Sequence, residues 1–303
     1  MPNLAPEAYL RPDIIQQVRR FDLKAKFLIE GFLSGLHRSP FKGFSVEFSE
    51  HRKYVRGDDV RTVDWKLWSR TNKYYVKQYE AETNVEAHLV VDISASMGYA
   101  GPGGKITKLQ YATYLAAAMA YLMIHQQDPV GLITCAEQIR TCLRPRCRMQ
   151  HLYAILKLLA ETQPAGRTRL AENLHRLAGM LSHRGLVLVF SDLLDDAGEE
   201  RTVEALAHLR HQGHDVIVFQ VFDAAEVQFP FKELTRFEDI ENALGPVTAD
   251  PLAIRSLYRK ELEAFRERFK SECLKRRIDF MPVDTATSFD KPLLAYLQKR
   301  CGK

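Results

Sequence analysis

The sequence predicts an α/β fold in which helices cover both faces of a doubly wound, mostly parallel six-stranded sheet. Strand-like and helix-like segments alternate from residue 85 onward, as repeated β-α-β units do. The strand segments VLVF and VIVFQVF are continuously apolar, which is typical of strands buried on both faces. In VGLITCAEQIRTCL, two short strands are separated by two residues. This hairpin is expected to place one antiparallel strand at an edge of the sheet.

The hydrophobic pattern also gives the expected bounds of the individual elements. Strands are predicted at 86–91, 130–135, 138–143, 186–191, 215–222 and 278–283. Helices are predicted at 108–126, 149–160, 170–182, 200–212, 252–276 and 289–299. The first helix contains the longest apolar run, residues 114–124, whose 11 residues are too few to cross a bilayer, which takes about 20. We interpret this helix as part of a buried core.

The first 84 residues have a different character. Residues 13–36 carry a helical pattern, whereas residues 41–82 are rich in aromatic and charged side chains. The latter pattern predicts short strands and turns, with one strand at 74–80. We therefore divide the chain into a small N-terminal α+β segment, residues 1–84, and an α/β domain, residues 85–303.

The composition is that of a folded globular chain, with 46% hydrophobic and 27% charged residues. The N-terminal stretch MPNLAPEAYLRPDIIQQ has no apolar signal core. The five cysteines form no C-x-x-C pair, which favours reduced thiols. We therefore expect a cytoplasmic protein that does not insert directly into a membrane.

Oxygen-bearing side chains stand where predicted strands end and one helix begins. In an open parallel sheet, ligands bind beyond the carboxyl ends of the strands, at the point where the strand order reverses. Two carboxylates and three hydroxyls form an oxygen-only set, which suits Mg²⁺, with Mn²⁺ or Ca²⁺ as alternatives. We predict a metal site, and no catalytic residues, from five positions: Asp92, Ser94, Ser96, Thr168 and Asp192.

Each part of this set also has an ordinary explanation when it is taken alone. Asp92 and the two serines could cap a following helix, and Thr168 could cap the helix predicted at 170–182. Asp192 could belong to a solvated acidic loop, SDLLDD. The metal prediction depends on the combination, because the fold is expected to bring the separate segments to one edge of the sheet.

The five positions resemble the metal-ion-dependent adhesion site of von Willebrand factor A domains, which have a Rossmann-like sheet. The resemblance covers roughly residues 85–300. It implies that Ser94, Ser96 and Thr168 ligate Mg²⁺. It also implies that Asp92 and Asp192 hold the cation directly or through water, and that a carboxylate of a protein partner completes the coordination.

The preceding segment, EFSEHRKYVRGDDVRTVDWKLWSR, resembles the signature of a bacterial family known as domain of unknown function 58. Its positions here are Glu47, Arg52, Tyr54, Gly57, Asp58, Asp59, Arg61, Asp64 and Trp65. The later stretch FEDIENALGPVTADP also matches that family's pattern. Members typically accompany MoxR-type AAA+ ATPases, and the resemblance implies a role in the maturation of client proteins. The expected function is a non-catalytic, Mg²⁺-dependent adaptor that binds an Asp or Glu of the ATPase or of a client.

Two other functions are compatible with parts of the sequence. A metal-dependent phosphatase-like enzyme could use Asp92 as a nucleophile, but Ser94 stands where such enzymes need a second carboxylate as general acid. A nucleic-acid-binding protein could use residues 37–79, which hold ten Lys and Arg against five Asp and Glu, with interleaved aromatic rings. The alternating charges of RGDDVRTVDW favour internal ion pairs instead, so we expect no nucleic-acid partner.

Overall fold

A computed structural model describes residues 46–55, 63–81, 86–104, 106–125, 127–241 and 245–287. The described residues before position 85 form one compact unit, and those after it form another. The helices predicted at 13–36 and 289–299 lie outside the described residues.

The N-terminal unit contains an antiparallel strand pair and a short helix. Strand β1 (Val46–Lys53) pairs with β2 (Tyr75–Ala81), and helix α1 (Trp65–Thr71) precedes β2. The strand predicted at 74–80 is therefore confirmed, with a shift of one residue.

Helix α1 was not predicted, because the aromatic and charged pattern around it indicated strands and turns. Asp64 explains why the chain turns into a helix here: its Oδ1 atom accepts a hydrogen bond of 3.0 Å from the backbone N–H of Leu67, as an N-cap residue does. The Trp68 ring stacks on the Tyr74 ring at 6.1 Å between centroids. The aromatic residues thus pack within the unit.

The second unit is built on a six-stranded sheet in the order β10-β7-β6-β3-β4-β5. All neighbours in it are parallel except β4 and β5, so the antiparallel edge strand is confirmed. Each strand lies within three residues of its predicted bounds: β3 (Glu86–Asp92), β4 (Val130–Cys135), β5 (Ile139–Arg146), β6 (Gly185–Ser191), β7 (Asp215–Phe222) and β10 (Asp279–Asp284). A small hairpin of β8 (Thr235–Phe237) and β9 (Val247–Ala249), which was not predicted, precedes the helix Pro251–Lys275.

Helices pack on both faces of this sheet. They are α2 (Lys108–His125), α3 (Met149–Glu161), α4 (Leu170–Met180), α5 (Glu199–His211), α6 (Ala224–Gln228) and α7 (Pro251–Lys275). Helices α4, α5 and α7 share one apolar core with alternate residues of the central strands. Helix α2 packs against β3, β4, β6 and β7, and most of residues 114–124 are buried in it, as predicted for a core helix. Within the described ranges, no helix combines the length and apolarity that crossing a membrane requires.

The strand order reverses next to β3. The chain first runs outward from β3 to β4 and β5, and it then returns to the other side of β3 for β6, β7 and β10. Connections leave the carboxyl ends of β3 and β6 in opposite directions, which leaves a crevice between them. Asp92 ends β3, and Asp192 directly follows β6, so two carboxylates lie at this crevice.

Asp128, in the turn between α2 and β4, is a buried carboxylic acid away from this crevice. It is 7% exposed, and among the described residues its Oδ2 atom has no hydrogen-bond partner. Burial raises its pKa from 3.8 to about 7. The neutral acid is therefore the form that the fold favours.

We expect Asp128→Asn to stabilise the protein above pH 7. As the pH rises from 4 to 7, the unfolded chain releases this proton before the folded chain does, so the free energy of unfolding falls. The Asn side chain has no proton to release in this pH range, so the variant avoids this fall in the free energy of unfolding. The complete fall is about 2 to 4 kcal/mol. Urea unfolding at pH 4 and pH 8 tests this, with the exposed Asp196→Asn as a control for the charge change. An Asp128→Asn effect equal at both pH values would contradict the prediction.

Candidate metal site

Asp92 is held at the end of β3 by neutral donors. It is 1% exposed. Its Oδ1 atom accepts a hydrogen bond of 2.9 Å from the backbone N–H of Ser94, and its Oδ2 atom accepts one of 2.6 Å from the hydroxyl of Ser191. The Ser191 oxygen in turn accepts the N–H of Leu193 at 3.0 Å, which fixes the orientation of its hydroxyl. These hydrogen bonds therefore fix the orientation of the Asp92 carboxyl group.

The two serines after Asp92 place their hydroxyls side by side. Their Oγ atoms are 3.0 Å apart, and Ser94 is fully buried. Ser94 precedes a short 3₁₀ turn, Ala95–Gly98, but its side chain makes no capping hydrogen bond. Adjacent ligands of an octahedral Mg²⁺ at its usual bond length also lie about 3.0 Å apart. The spacing of Ser94 and Ser96 thus suits a shared cation, and the capping explanation does not account for them.

Thr168 is brought to the same place by backbone hydrogen bonds between two loops. The N–H of Ala95 donates to the carbonyl of Gly166 at 2.9 Å, and the N–H of Ala165 donates to the carbonyl of Ile93, also at 2.9 Å. Thr168 is 1% exposed. Helix α4 begins at Leu170 with Arg169 as its N-cap residue, so the Thr168 hydroxyl is not the predicted cap. Its hydroxyl donates instead to a carboxylate, that of Glu241, at 2.6 Å.

Asp192 differs from Asp92 in having a cationic partner. Its Oδ2 atom lies 2.8 Å from Nζ of Lys108, at the start of α2, and its Oδ1 atom accepts the N–H of Leu194 at 3.1 Å. Lys108 is 1% exposed and also contacts Glu226, at 2.9 Å. The buried ammonium group of Lys108 therefore forms ion pairs with two carboxylates, those of Asp192 and Glu226.

The electrostatics of the crevice follow from this arrangement. Burial, followed by repulsion from Asp192, raises the pKa of Asp92 above its usual range, although hydrogen bonds from Ser191 and Ser94 oppose the shift. Burial alone would lower the pKa of Lys108, but attraction to Asp192 and Glu226 outweighs it and raises that pKa. Negative charge is thus concentrated beside Asp92, where an added cation would be favoured.

All five predicted residues lie at one edge of the sheet, and their donor atoms are oxygens. The two carboxylate oxygens of Asp92 have four lone-pair sites in total, so the hydrogen bonds from Ser94 and Ser191 leave acceptor capacity for a metal bond. The residue types and the serine spacing fit a hard divalent cation. Four residues that contact the predicted ligands or their partners were not predicted from the sequence: Lys108, Ser191, Glu226 and Glu241. Glu241 lies in the stretch FEDIENALGPVTADP, whose acidic residues were the available signal.

We expect Lys108→Met to destabilise the fold strongly. The substitution keeps an unbranched side chain but leaves Asp192 and Glu226 buried without their ammonium partner. Removal of one partner from a buried ion pair costs about 3 to 5 kcal/mol. Urea unfolding measures the loss.

Lys270→Met is the matched control, because Lys270 and its partner Glu267 are both exposed. Such surface pairs contribute about 0 to 1 kcal/mol. Equal losses in the two variants would show that the Lys108 pair does not stabilise the crevice.

The comparison with known proteins identifies a family. The chain matches the model of the family described as protein of unknown function DUF58 over residues 50–269. Uncharacterized proteins of Mycobacterium tuberculosis and Mycobacterium bovis are each 29% identical to this chain over 259 residues, which is 84% of this chain and 80% of theirs.

Two solved structures from Bacteroides are also similar. A conserved hypothetical protein, BatB, from Bacteroides thetaiotaomicron has a TM-score of 0.49 at 17% identity, covering 72% of this chain and 98% of that one. An aerotolerance-related membrane protein from Bacteroides fragilis has a TM-score of 0.47 at 18% identity, covering 71% and 99%. The family match spans well over half of the chain and confirms the resemblance of the signature segment, so the protein belongs to the DUF58 family.

Proposed function

We propose that this protein is a Mg²⁺-dependent protein-interaction module of the von Willebrand factor A type. Asp92, Ser94, Ser96, Thr168 and Asp192 would hold the cation, with Mn²⁺ or Ca²⁺ as competitors. A bound divalent cation supplies the positive charge that a partner's Asp or Glu requires in order to dock. The protein residues would position the cation and leave one coordination position for that carboxylate.

The proposal depends on a difference between the partners of two neighbouring buried carboxylates, Asp92 and Asp192. Asp192 has the ammonium of Lys108 at 2.8 Å, whereas the hydrogen bonds that Asp92 accepts in the described part of the chain come from a backbone N–H and a hydroxyl. A buried carboxylate without a countercharge costs several kcal/mol or takes up a proton, and the raised pKa of Asp92 reflects this cost. A divalent cation between Asp92 and the paired hydroxyls would provide that countercharge.

The proposed partner is a MoxR-type AAA+ ATPase or one of its client proteins, with this chain as the adaptor between them. The chain belongs to the DUF58 family, and a MoxR-type ATPase is the partner that the resemblance of the signature segment to this family implies. A hard divalent cation prefers carboxylate oxygens as ligands, which supports an acidic docking residue on the partner. We propose cytoplasmic localisation, in keeping with the partner.

We propose a binding role and not phosphatase-like catalysis. Both oxygens of Asp92 accept hydrogen bonds, which holds the carboxylate in place and reduces its nucleophilicity. Ser94 stands where such an enzyme would need a general acid, and its hydroxyl faces that of Ser96.

We expect Asp92→Asn to abolish high-affinity Mg²⁺ and Mn²⁺ binding. The amide preserves the shape of the side chain but removes the charge that attracts the cation. Isothermal titration calorimetry on the wild type and the variant tests this, and we expect an affinity loss of at least about 100-fold, which corresponds to about 2.7 kcal/mol. Equal titration curves for the two proteins would contradict the proposed metal site.

Asp223→Asn is the matched control for this experiment. Asp223 follows β7 at the same edge of the sheet and is also buried. Its oxygens are occupied by the N–H groups of Gly101 and Ala225 and by the hydroxyl of Thr285. We expect its Mg²⁺ affinity to equal that of the wild type.

We also expect the purified MoxR-type ATPase from the same organism to bind the wild-type protein and not Asp92→Asn, both in the presence of Mg²⁺. Comparing variants at constant Mg²⁺ avoids the effect of a chelator on the nucleotide site of the ATPase. Surface-immobilised ATPase with each protein in solution gives the two affinities. Equal binding by the wild type and Asp92→Asn would contradict the proposal that the ATPase binds through the metal.

A further inference from the structure

Glu241 accepts hydrogen bonds from Thr168 with both of its carboxylate oxygens. Its Oε2 atom accepts the backbone N–H of Thr168 at 2.9 Å, and its Oε1 atom accepts the Thr168 hydroxyl at 2.6 Å. Thr168 is 1% exposed, so these charge-assisted hydrogen bonds are largely shielded from water. A carboxylate of this chain therefore sits against one of the candidate metal ligands.

The main chain places Glu241 at this position. Its own N–H donates to Oδ1 of Asp239 at 2.9 Å, which forms a local turn. The turn lies in the connection between β8 and β9, and Phe237 at the end of β8 stacks on Phe229 at 5.8 Å and meets Phe231 edge-on at 5.6 Å. Glu241 is thus presented by a hairpin whose base is fixed by aromatic packing.

The charges of the crevice make Glu241 a competitor for any incoming carboxylate. Glu241 adds a negative charge to a crevice in which the carboxyl groups of Asp92, Asp192 and Glu226 already outnumber the ammonium of Lys108. An acidic residue of a partner is therefore repelled more strongly while Glu241 is in place than after Glu241 has moved away.

We propose that Glu241 is an internal carboxylate ligand of this site, and that it occupies the position that a partner's Asp or Glu must take. The inference rests on the proposed function, because it requires a cation held by Asp92 and the three hydroxyls. In the unbound protein, Glu241 would complete the coordination of the cation, and an acidic partner would bind by displacing Glu241. The apparent affinity for such a partner is reduced by the fraction of molecules in which Glu241 remains in place.

The number of water molecules on a bound ion tests the proposal. Eu³⁺ replaces hard divalent cations, and its luminescence lifetimes in H₂O and D₂O report the waters in its inner shell. We expect Glu241→Ala to add at least one bound water relative to the wild type. We also expect acetate to displace water from Glu241→Ala at a concentration at least about tenfold lower than from the wild type.

Two further variants separate the role of Glu241 from general effects. Glu238→Ala is the matched control, because it removes a carboxylate from the same hairpin that is exposed and paired with Arg236. It should leave hydration and acetate response unchanged. Glu241→Gln retains an acceptor for Thr168 and the local fold, and it should raise acetate sensitivity in the same direction as Glu241→Ala.

The outcomes distinguish this inference from the function on which it rests. If Asp92→Asn loses Eu³⁺ binding but Glu241→Ala has wild-type hydration and acetate response, the metal site stands and the internal ligand is refuted. If Asp92→Asn binds Eu³⁺ as the wild type does, the metal site itself fails, and the inference fails with it.

Discussion

The crevice depends on the burial of two like charges at the point where the strand order of the sheet reverses. Asp92 and Asp192 are each at most 1% exposed, at the ends of adjacent parallel strands. Carboxylates this close in a low-dielectric environment repel each other, and each also loses its hydration. The neighbouring groups, from the Lys108 ammonium to the hydroxyls of Ser191 and Ser94, are arranged so that the two charges are tolerated.

The compensation is stronger on one side of the crevice than on the other. Lys108 links Asp192 to Glu226, and Glu226 accepts the backbone N–H of Asp223, whose own carboxylate accepts the hydroxyl of Thr285. This chain of contacts ties α2, α6 and the ends of β6, β7 and β10 together. The Asp192 side is therefore connected to the core of the fold by ion pairs, whereas Asp92 is held by two neutral donors, the N–H of Ser94 and the hydroxyl of Ser191.

The periodicity of the sequence predicted the sheet well, because buried parallel strands require continuous apolar runs that few other structures need. It predicted the five oxygen-bearing positions because strand ends meet at one edge. It could not predict partners that are distant in sequence: Lys108 meets Asp192 across 84 residues, and Thr168 meets Glu241 across 73. The stretch FEDIEN offers three carboxylates with similar local patterns, and only the tertiary structure selects Glu241 among them. Helix α1 was missed for a similar reason, since a single cap, Asp64, outweighed the local strand-like pattern.

The two sides of the crevice suit different parts of a binding event. A binding site gains affinity when the groups that hold the ligand are fixed in advance, and the Asp192 side is fixed by buried ion pairs between core elements. Under the proposed function, an incoming acidic residue also needs an exchangeable position, and Glu241, which is bound to Thr168 by hydrogen bonds, would provide it. Lys108, in contrast, cannot leave Asp192 without leaving two buried carboxylates unpaired. Exchange would therefore take place at the Glu241 position, while the Asp192 side stays fixed.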